Sequence, residues 1–266
     1  LNVARTLATL GNAVGLSSRV GADREGVELL DYVTRLDITA VSIQTENTRP
    51  TACYTAVLDH TGNLILGLAD MAIYDDFKPA HWQHGKQAIQ HWNHWCVDTN
   101  LPADTLHYLA SEKADRLLFA VVTSPAKAHR LRQVLPTLDA VFANNAEADT
   151  LVNSNTGTLQ TIEEQARALC DLGALRAIVT AGVNGAAWAD PDRSGHIASP
   201  SISPQSVSGA GDVLAGTTIA ALLSGETLEQ ALTYGTCAAT LSTLSDMNDP
   251  HLSWPMIKEK LAHNDA

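Results

Sequence analysis

From about residue 84 the sequence keeps returning to one pattern: a short apolar run, then a segment with helical spacing. Trp95–Asp98, Leu117–Val122, Ala140–Ala143 and Leu175–Thr180 read as strands. Ala103–Lys113, Ala126–Leu135, a stretch after Asn145 and a stretch ending at Leu172 read as helices between them. Thr161-x-x-Glu164 is a capping box that opens the last of these. Such alternation implies a mostly parallel sheet covered by helices. Ligands in these folds sit at the carboxyl ends of the strands, often against helix N-termini.

The flanking regions fit around that frame. Val3, Leu7 and Leu10 share one helical face, and Gly11 can end that helix. Residues 14 to 20 read as a strand and Gly26–Leu36 as a helix. Residues 40 to 70 differ. Two β-rich runs, from Thr51 to Leu58 and from Leu64 to Leu68, flank Asp59-x-Thr-Gly-Asn63 and make a hairpin. Asp212–Leu223 is helical up to Gly225, and Thr227-x-x-Gln230 opens a further helix.

With 266 residues, 45% of them hydrophobic and 17% charged, the chain can bury a sizeable core in one domain, 1–266. No apolar run reaches the ~20 residues of a membrane helix, and no signal peptide is evident. Seventeen basic against 29 acidic side chains, net −12, argue against nucleic acid as a partner. Cys53, Cys96, Cys170 and Cys237 lie far apart, which fits reduced thiols and a cytoplasmic location.

The sharpest local signal is Ser208-Gly209-Ala210-Gly211-Asp212 at a helix start. Small residues let backbone amides approach an anion, and the helix adds its positive end. Asp212 could then take a proton from an attacking hydroxyl. It could equally cap a plain glycine turn. Asn144-x-x-Glu147 follows a strand; Glu147 either holds Mg²⁺, directly or through water, or favours the helix dipole. Thr180-x-Gly182-x-x-Gly185 and Val20-Gly21-x-Asp23-x-x-Gly26 each read as a nucleotide-wrapping loop or as a turn.

Taken in order, Asn2-Val3-Ala4 and these four motifs resemble the PfkB (ribokinase-like) carbohydrate kinase family over nearly the whole chain. The resemblance implies a three-layer α/β/α fold with a mostly parallel central sheet and a small β lid from about 40–72. It implies phosphorylation of a sugar or nucleoside hydroxyl with ATP and Mg²⁺. Asp212 matches the base, and Gly209, Ala210 and Gly211 the anion hole. Glu147 matches the residue acting on Mg²⁺, Asn144 a group near the phosphates, and Thr180, Gly182 and Gly185 the nucleotide loop. Asn2 matches a substrate-contacting asparagine. Lids of relatives can mediate dimers, so a homodimer through the lid is an expectation.

Within the family, the hairpin, Ala69-Asp70-Met71, Val97-Asp98-Thr-Asn100 and Val122-Thr-Ser124-Pro-Ala-Lys127 are similar to the pseudouridine kinase branch. That likeness makes Thr51, Asp70, Asp98, Asn100 and Lys127 candidate substrate contacts. Asp70 and Asn100 also fit as turn formers, and Lys127 as a solvated helix residue.

Three features depart from the family pattern. Relatives carry a segment upstream of Asn2, with the first sheet strand, a substrate-binding Asp and a Gly-Gly pair. Either this sequence is a piece of a longer chain, or a form that lacks that N-terminal strand is impaired. Ser206 replaces an acidic residue, which leaves a monovalent-cation site with little support. Ala143 stands where relatives often have Pro. The rival expectations are a sister kinase for ribose, another nucleoside or a small sugar, and a truncated module that binds nucleotide without turnover. His81, His84, His91, His94 and Cys96 have a spacing that could hold Zn²⁺, although a surface helix explains them as well.

Overall fold

The computed structural model describes residues 1–58, 64–152, 161–200, 209–244 and 252–264. In chain order the elements are α1 (Asn2–Thr9), β1 (Gly15–Gly21), α2 (Arg24–Arg35), β2 (Thr39–Glu46), β3 (Cys53–Leu58), β4 (Leu64–Asp70), α3 (Pro79–Gln90) and β5 (His94–Asp98). They continue with α4 (Ala103–Glu112), β6 (Leu117–Val121), α5 (Pro125–Ala128), β7 (Ala140–Asn144), α6 (Asn145–Val152), α7 (Ile162–Asp171) and β8 (Ala177–Thr180). The last are β9 (Ala186–Ala189), β10 (Ser194–Ile197), α8 (Ala210–Leu223), α9 (Leu228–Thr243) and α10 (Trp254–Asn264).

Six strands form the central sheet in the order β10-β9-β8-β7-β6-β5. Strands β5 to β8 are parallel, and β9 and β10 add antiparallel pairings. The two faces of the parallel part follow from alternation of side chains along each strand. Leu118, Ala120 and Val122 point to one face, into a core shared with Leu106 of α4, Leu151 of α6 and Leu169 of α7. Phe119, Val121, Phe142 and Ile178 point to the other, against Leu214 and Ile219 of α8 and Leu232 of α9. Helix α8 is buried from Val213 to Ala221, because α1, α9 and α10 cover the side turned away from the sheet.

Strands β1 and β2 form a separate parallel pair, and β3 and β4 a separate antiparallel one. The expected hairpin is therefore present as β3–β4, with its turn outside the described residues. Residues 40 to 46 do not belong to it; they run parallel to β1. Among the described residues, β1 pairs with no strand but β2, and β5 with no strand but β6. Ser206 and Ser208, ahead of α8, lie outside the described residues.

One expected helix is different. Ala126–Leu135 is a single helical turn, α5, followed by 3-10 turns at His129–Leu131 and Leu135–Thr137. Its buried residues are Ala128, Leu131, Val134 and Leu135.

Candidate active site

The carboxyl ends of the parallel strands lie at one edge of the sheet. Asp98 pairs in register with Val121, Val121 with Phe142, and Asn144 with Thr180. Asp98, Asn144 and Thr180 thus open onto the same edge.

Helix α8 starts there. Gly209 adopts φ +78°, a left-handed backbone that Gly takes without the Cβ penalty. It swings the chain so that the amides of the first turn are free of helical partners. A Cβ added to Gly211 would meet nothing within 4 Å. Bare amides, a helix N-terminus and open space in front of them make a cradle for an anion. Ala210 and Asp212 complete this first turn.

Asp212 is held by α1. Asn2 Nδ2 donates to Asp212 Oδ2 at 2.8 Å. The contact depends on how closely α1 lies on α8. Thr6, 4% exposed, sits over Gly216, where an added Cβ would come within 2.7 Å of Thr6 Cβ. Thr6 Oγ1 also donates to the Asn2 carbonyl at 3.0 Å, which tightens the turn that carries Asn2.

Asn144 and Glu147 close a reciprocal cap on α6. Asn144 Oδ1 accepts from the Glu147 amide at 2.9 Å, and Glu147 Oε2 accepts from the Asn144 amide at 2.8 Å. The second oxygen, Oε1, has no hydrogen bond among the described residues. Glu147 is only 5% exposed. Burial pushes its carboxyl up to about 7; the Asn144 amide works against that, and the Asp212 charge adds to it. A carboxylate oxygen left over beside an anion cradle is a hard donor suited to Mg²⁺. The segment is a helix cap that leaves one carboxylate oxygen available.

The nucleotide-loop candidates form the β8–β9 turn. Gly182 (φ +56°) has open space where a Cβ would stand. Gly185 (φ +84°) has none, because the Ile197 carbonyl fills it. The glycine spacing marks this loop but not the β9 and β10 strands that hold it. Their runs are four residues each, too short for a periodic signal.

At the end of β5, Asp98 Oδ1 accepts from the Asn100 amide at 2.7 Å, and Lys127 Nζ donates to Asn100 Oδ1 at 2.7 Å. Lys127 is held below the usual lysine range by burial first and then by Arg130. Arg130, which no motif singles out, donates through Nη1 to the carbonyls of Thr99, Asn100 and Leu101 and so fixes this loop. Cys96 lies on β5, two residues before Asp98. Desolvation raises its thiol to about 12, and Asp98 and Asp212 add to that.

One candidate is engaged elsewhere, and a second also forms a turn. Thr51 Oγ1 accepts from the Gly21 amide at 2.8 Å and donates to Asp23 Oδ1 at 2.6 Å. Asp23 also accepts from the amides of Thr51 and Gly26, and a Cβ on Gly26 would run into the Gly21 carbonyl. The Val20–Gly26 motif is thus a structural corner, the turn reading of the two, and Thr51 closes it. Asp70 is exposed at the end of β4 and accepts from the Ala72 amide at 3.3 Å, the turn-forming role. The histidine segment forms no cluster able to hold a metal ion among the described residues. No helix among them is long and apolar enough to cross a membrane.

Known proteins resemble this chain in sequence and fold. The chain is 25% identical over 255 residues to pseudouridine kinase of Escherichia coli K12, covering 95% of this chain and 81% of that one. It is 25% identical over 238 residues to guanosine-inosine kinase of Exiguobacterium acetylicum, covering 88% and 78%. Among solved structures, a carbohydrate kinase from Agrobacterium tumefaciens superposes with TM-score 0.83 at 29% identity, covering 98% and 84%. A putative ribokinase II from E. coli in complex with ATP and Mg²⁺ superposes with TM-score 0.81 at 16% identity, covering 98% and 87%. The model of the pfkB family carbohydrate kinases matches residues 1–248. That match places the chain in the PfkB family, phosphotransferases that act on alcohol acceptors.

Proposed function

We propose that this chain transfers the γ-phosphoryl group of ATP to the 5′-hydroxyl of a nucleoside, pseudouridine first. The observation that carries the reading is Asp212, tied by Asn2 at the mouth of the Gly209–Gly211 cradle. Asp212 accepts the hydroxyl proton as the acceptor oxygen bonds to the γ-phosphorus. The bond from that phosphorus to the β-bridging oxygen breaks, and ADP leaves. The amides of the α8 first turn hold the charge on the transferring group, so the protein contributes mostly positioning and electrostatics. Thr180, Gly182 and Gly185 flank the nucleotide, with Asn144 near its phosphates. Glu147 Oε1 would hold Mg²⁺, directly or through water, and the ion would neutralise phosphate charge when bound.

On the acceptor side, Asp98, Asn100 and Lys127 bind the nucleoside, and Asp70 reaches it from the hairpin. Thr51 is left out of the contacting set, because its hydroxyl is already bonded to Asp23 and Gly21. The β3–β4 hairpin serves as the lid that excludes water. Tyr54, Val57, Ile65, Leu66 and Leu68 on it are exposed, and a second copy of the chain covering them is the proposed partner. The relative that uses guanosine and inosine, at the same 25% identity, favours a purine nucleoside as the second reading. ADP release with ATP, Mg²⁺ and each of pseudouridine, uridine, guanosine, inosine and ribose separates them. Turnover with ribose alone would remove the nucleoside assignment and keep the kinase.

A further inference from the structure

Both roots of the β3–β4 hairpin pass beside one buried cation. Arg19, in the middle of β1, is 5% exposed. Its Nη2 donates to Glu46 Oε2 at 2.7 Å, at the end of β2, where the chain departs for β3. Its Nη1 donates to the Ile73 carbonyl at 3.2 Å, in the segment that returns from β4. The guanidinium also lies 5.6 Å from the centroid of the Phe77 ring, further along the same return segment. Glu46 does not stop at Arg19. Its Oε1 accepts from the amides of Asn47 and Thr48 and from Thr48 Oγ1, and so shapes the start of the outgoing linker. A second ion pair, Arg49 to Asp76 at 2.9 Å, spans the same two segments at the surface, where it contributes little.

We infer that Arg19 is the positioning residue of the lid: it fixes both roots to β1 and so sets the hairpin's angle over the acceptor cleft. This rests on the kinase reading for its consequence, but not for its geometry. A rigid planar fork can bond a carboxylate on one root and a carbonyl on the other at once; an ammonium on a flexible stem holds only one well. A buried pair of this kind adds little net stability when compared with an apolar replacement. Changing one partner alone is destabilising, so lid placement is read from KM and local exchange and not from melting temperature. With the roots loosened, the hairpin still pairs β3 with β4, but closure no longer excludes water. Water then competes with the acceptor: its oxygen bonds to the γ-phosphorus, the bond to ADP breaks, and inorganic phosphate and a proton are released.

Arg19→Lys and Glu46→Gln test this, with Glu46→Gln keeping the hydrogen-bonding shape of the corner should the lysine variant fold poorly. Three readouts apply: the KM of acceptor and of ATP, the ratio of ADP formed to acceptor phosphorylated, and amide hydrogen exchange. Acceptor KM should rise about tenfold with ATP KM within about twofold, as expected for misplaced binding groups. The ratio of ADP to product should exceed one. Exchange should speed up at 47–52 and 71–77 together, while β6 and β7 stay protected. Equal changes in both KM values, a ratio fixed at one, or exchange rising at one root only would overturn the inference. If the parent chain phosphorylates no acceptor, the kinase reading fails on its own. The exchange pattern then still decides whether Arg19 holds both roots.

Discussion

Asn2 and Asp212, 210 positions apart in the chain, meet at 2.8 Å because one helix lies in a groove made by a glycine of another. The groove is Gly216, under Thr6 and the Val3 carbonyl. A residue far from the chemistry therefore sets the aim of the proposed base. Gly216→Ala adds a methyl that would stand 2.7 Å from Thr6 Cβ and 3.2 Å from the Val3 carbonyl. Helix α1 must shift, and the usual cost of such overpacking is about 1–3 kcal/mol. We expect kcat to fall while ATP KM holds. A variant with wild-type kcat would show that the Asn2 contact does not matter to turnover.

Asn2→Asp probes the same contact electrostatically. Two carboxylates at hydrogen-bonding distance share a proton, because both cannot ionise cheaply. The rise of kcat with pH should move to higher pH. A pH–rate profile that superposes on the parent's contradicts this.

Gly211 separates cradle from fold. The space in front of it is open, so Gly211→Ala introduces no clash within the protein. Alanine in a helical turn is favoured over glycine by up to about 1 kcal/mol. Thermal stability should hold or rise, while turnover falls because the methyl occupies the anion's place. Full activity in a stable Gly211→Ala protein would mean that no phosphoryl group approaches these amides.

Glu147 gives a pH signature without any assay of activity. Its carboxyl titrates at about 7 in the folded chain against an ordinary 4.5, burial being the main cause. A raised folded pKa means that the native state binds the extra proton between those values. Its stability contribution is therefore complete below 4.5 and is lost as pH rises through 7. Above that range the penalty is up to about 3 kcal/mol. Glu147→Gln lacks it, so the variant should gain on the parent between about pH 5 and 8 in chemical denaturation without Mg²⁺. Parallel stability curves for the two proteins would show that this carboxyl is not held up. The same substitution should raise the Mg²⁺ concentration needed for turnover.

The β8–β9 turn offers a matched pair. Gly182→Ala meets open space and bears only the left-handed backbone cost, about 1–2 kcal/mol. Gly185→Ala bears that cost and also drives a methyl into the Ile197 carbonyl. The first should fold and show a raised ATP KM; the second should lose stability markedly more. Similar melting temperatures for the two would refute the geometry of this turn.

Much of this fold is legible in the residues themselves. The parallel strands stand out because both of their faces are buried, which leaves unbroken apolar runs such as Leu117–Val122. Helix caps such as Thr161-x-x-Glu164 and Thr227-x-x-Gln230 are visible because capping chemistry is local. The β9–β10 edge is not, since strands of four residues carry too little periodicity. The corner at Asp23 is ambiguous for a physical reason: glycines beside an aspartate look alike whether they cradle a phosphate or tie a turn. Its partner, Thr51, lies 28 residues downstream, and nothing in the spacing shows that its hydroxyl is already bonded. The roles of Arg19 and Arg130 are hidden in the same way, as their partners include backbone carbonyls brought in by distant segments.

The central claim is that Asp212 drives phosphoryl transfer from ATP to a nucleoside 5′-hydroxyl. The direct measurement is ³¹P NMR of the product, with ADP release, for the parent chain and Asp212→Asn, using ATP, Mg²⁺ and pseudouridine. The account predicts a new 5′-phosphomonoester from the parent. It predicts kcat lower by ~10²-fold or more in Asp212→Asn, the scale of a lost general base, with nucleotide binding retained. Equal turnover by both proteins would contradict the role given to Asp212. No phosphorylated product from the parent with any nucleoside, despite ATP binding, would contradict the proposed function itself.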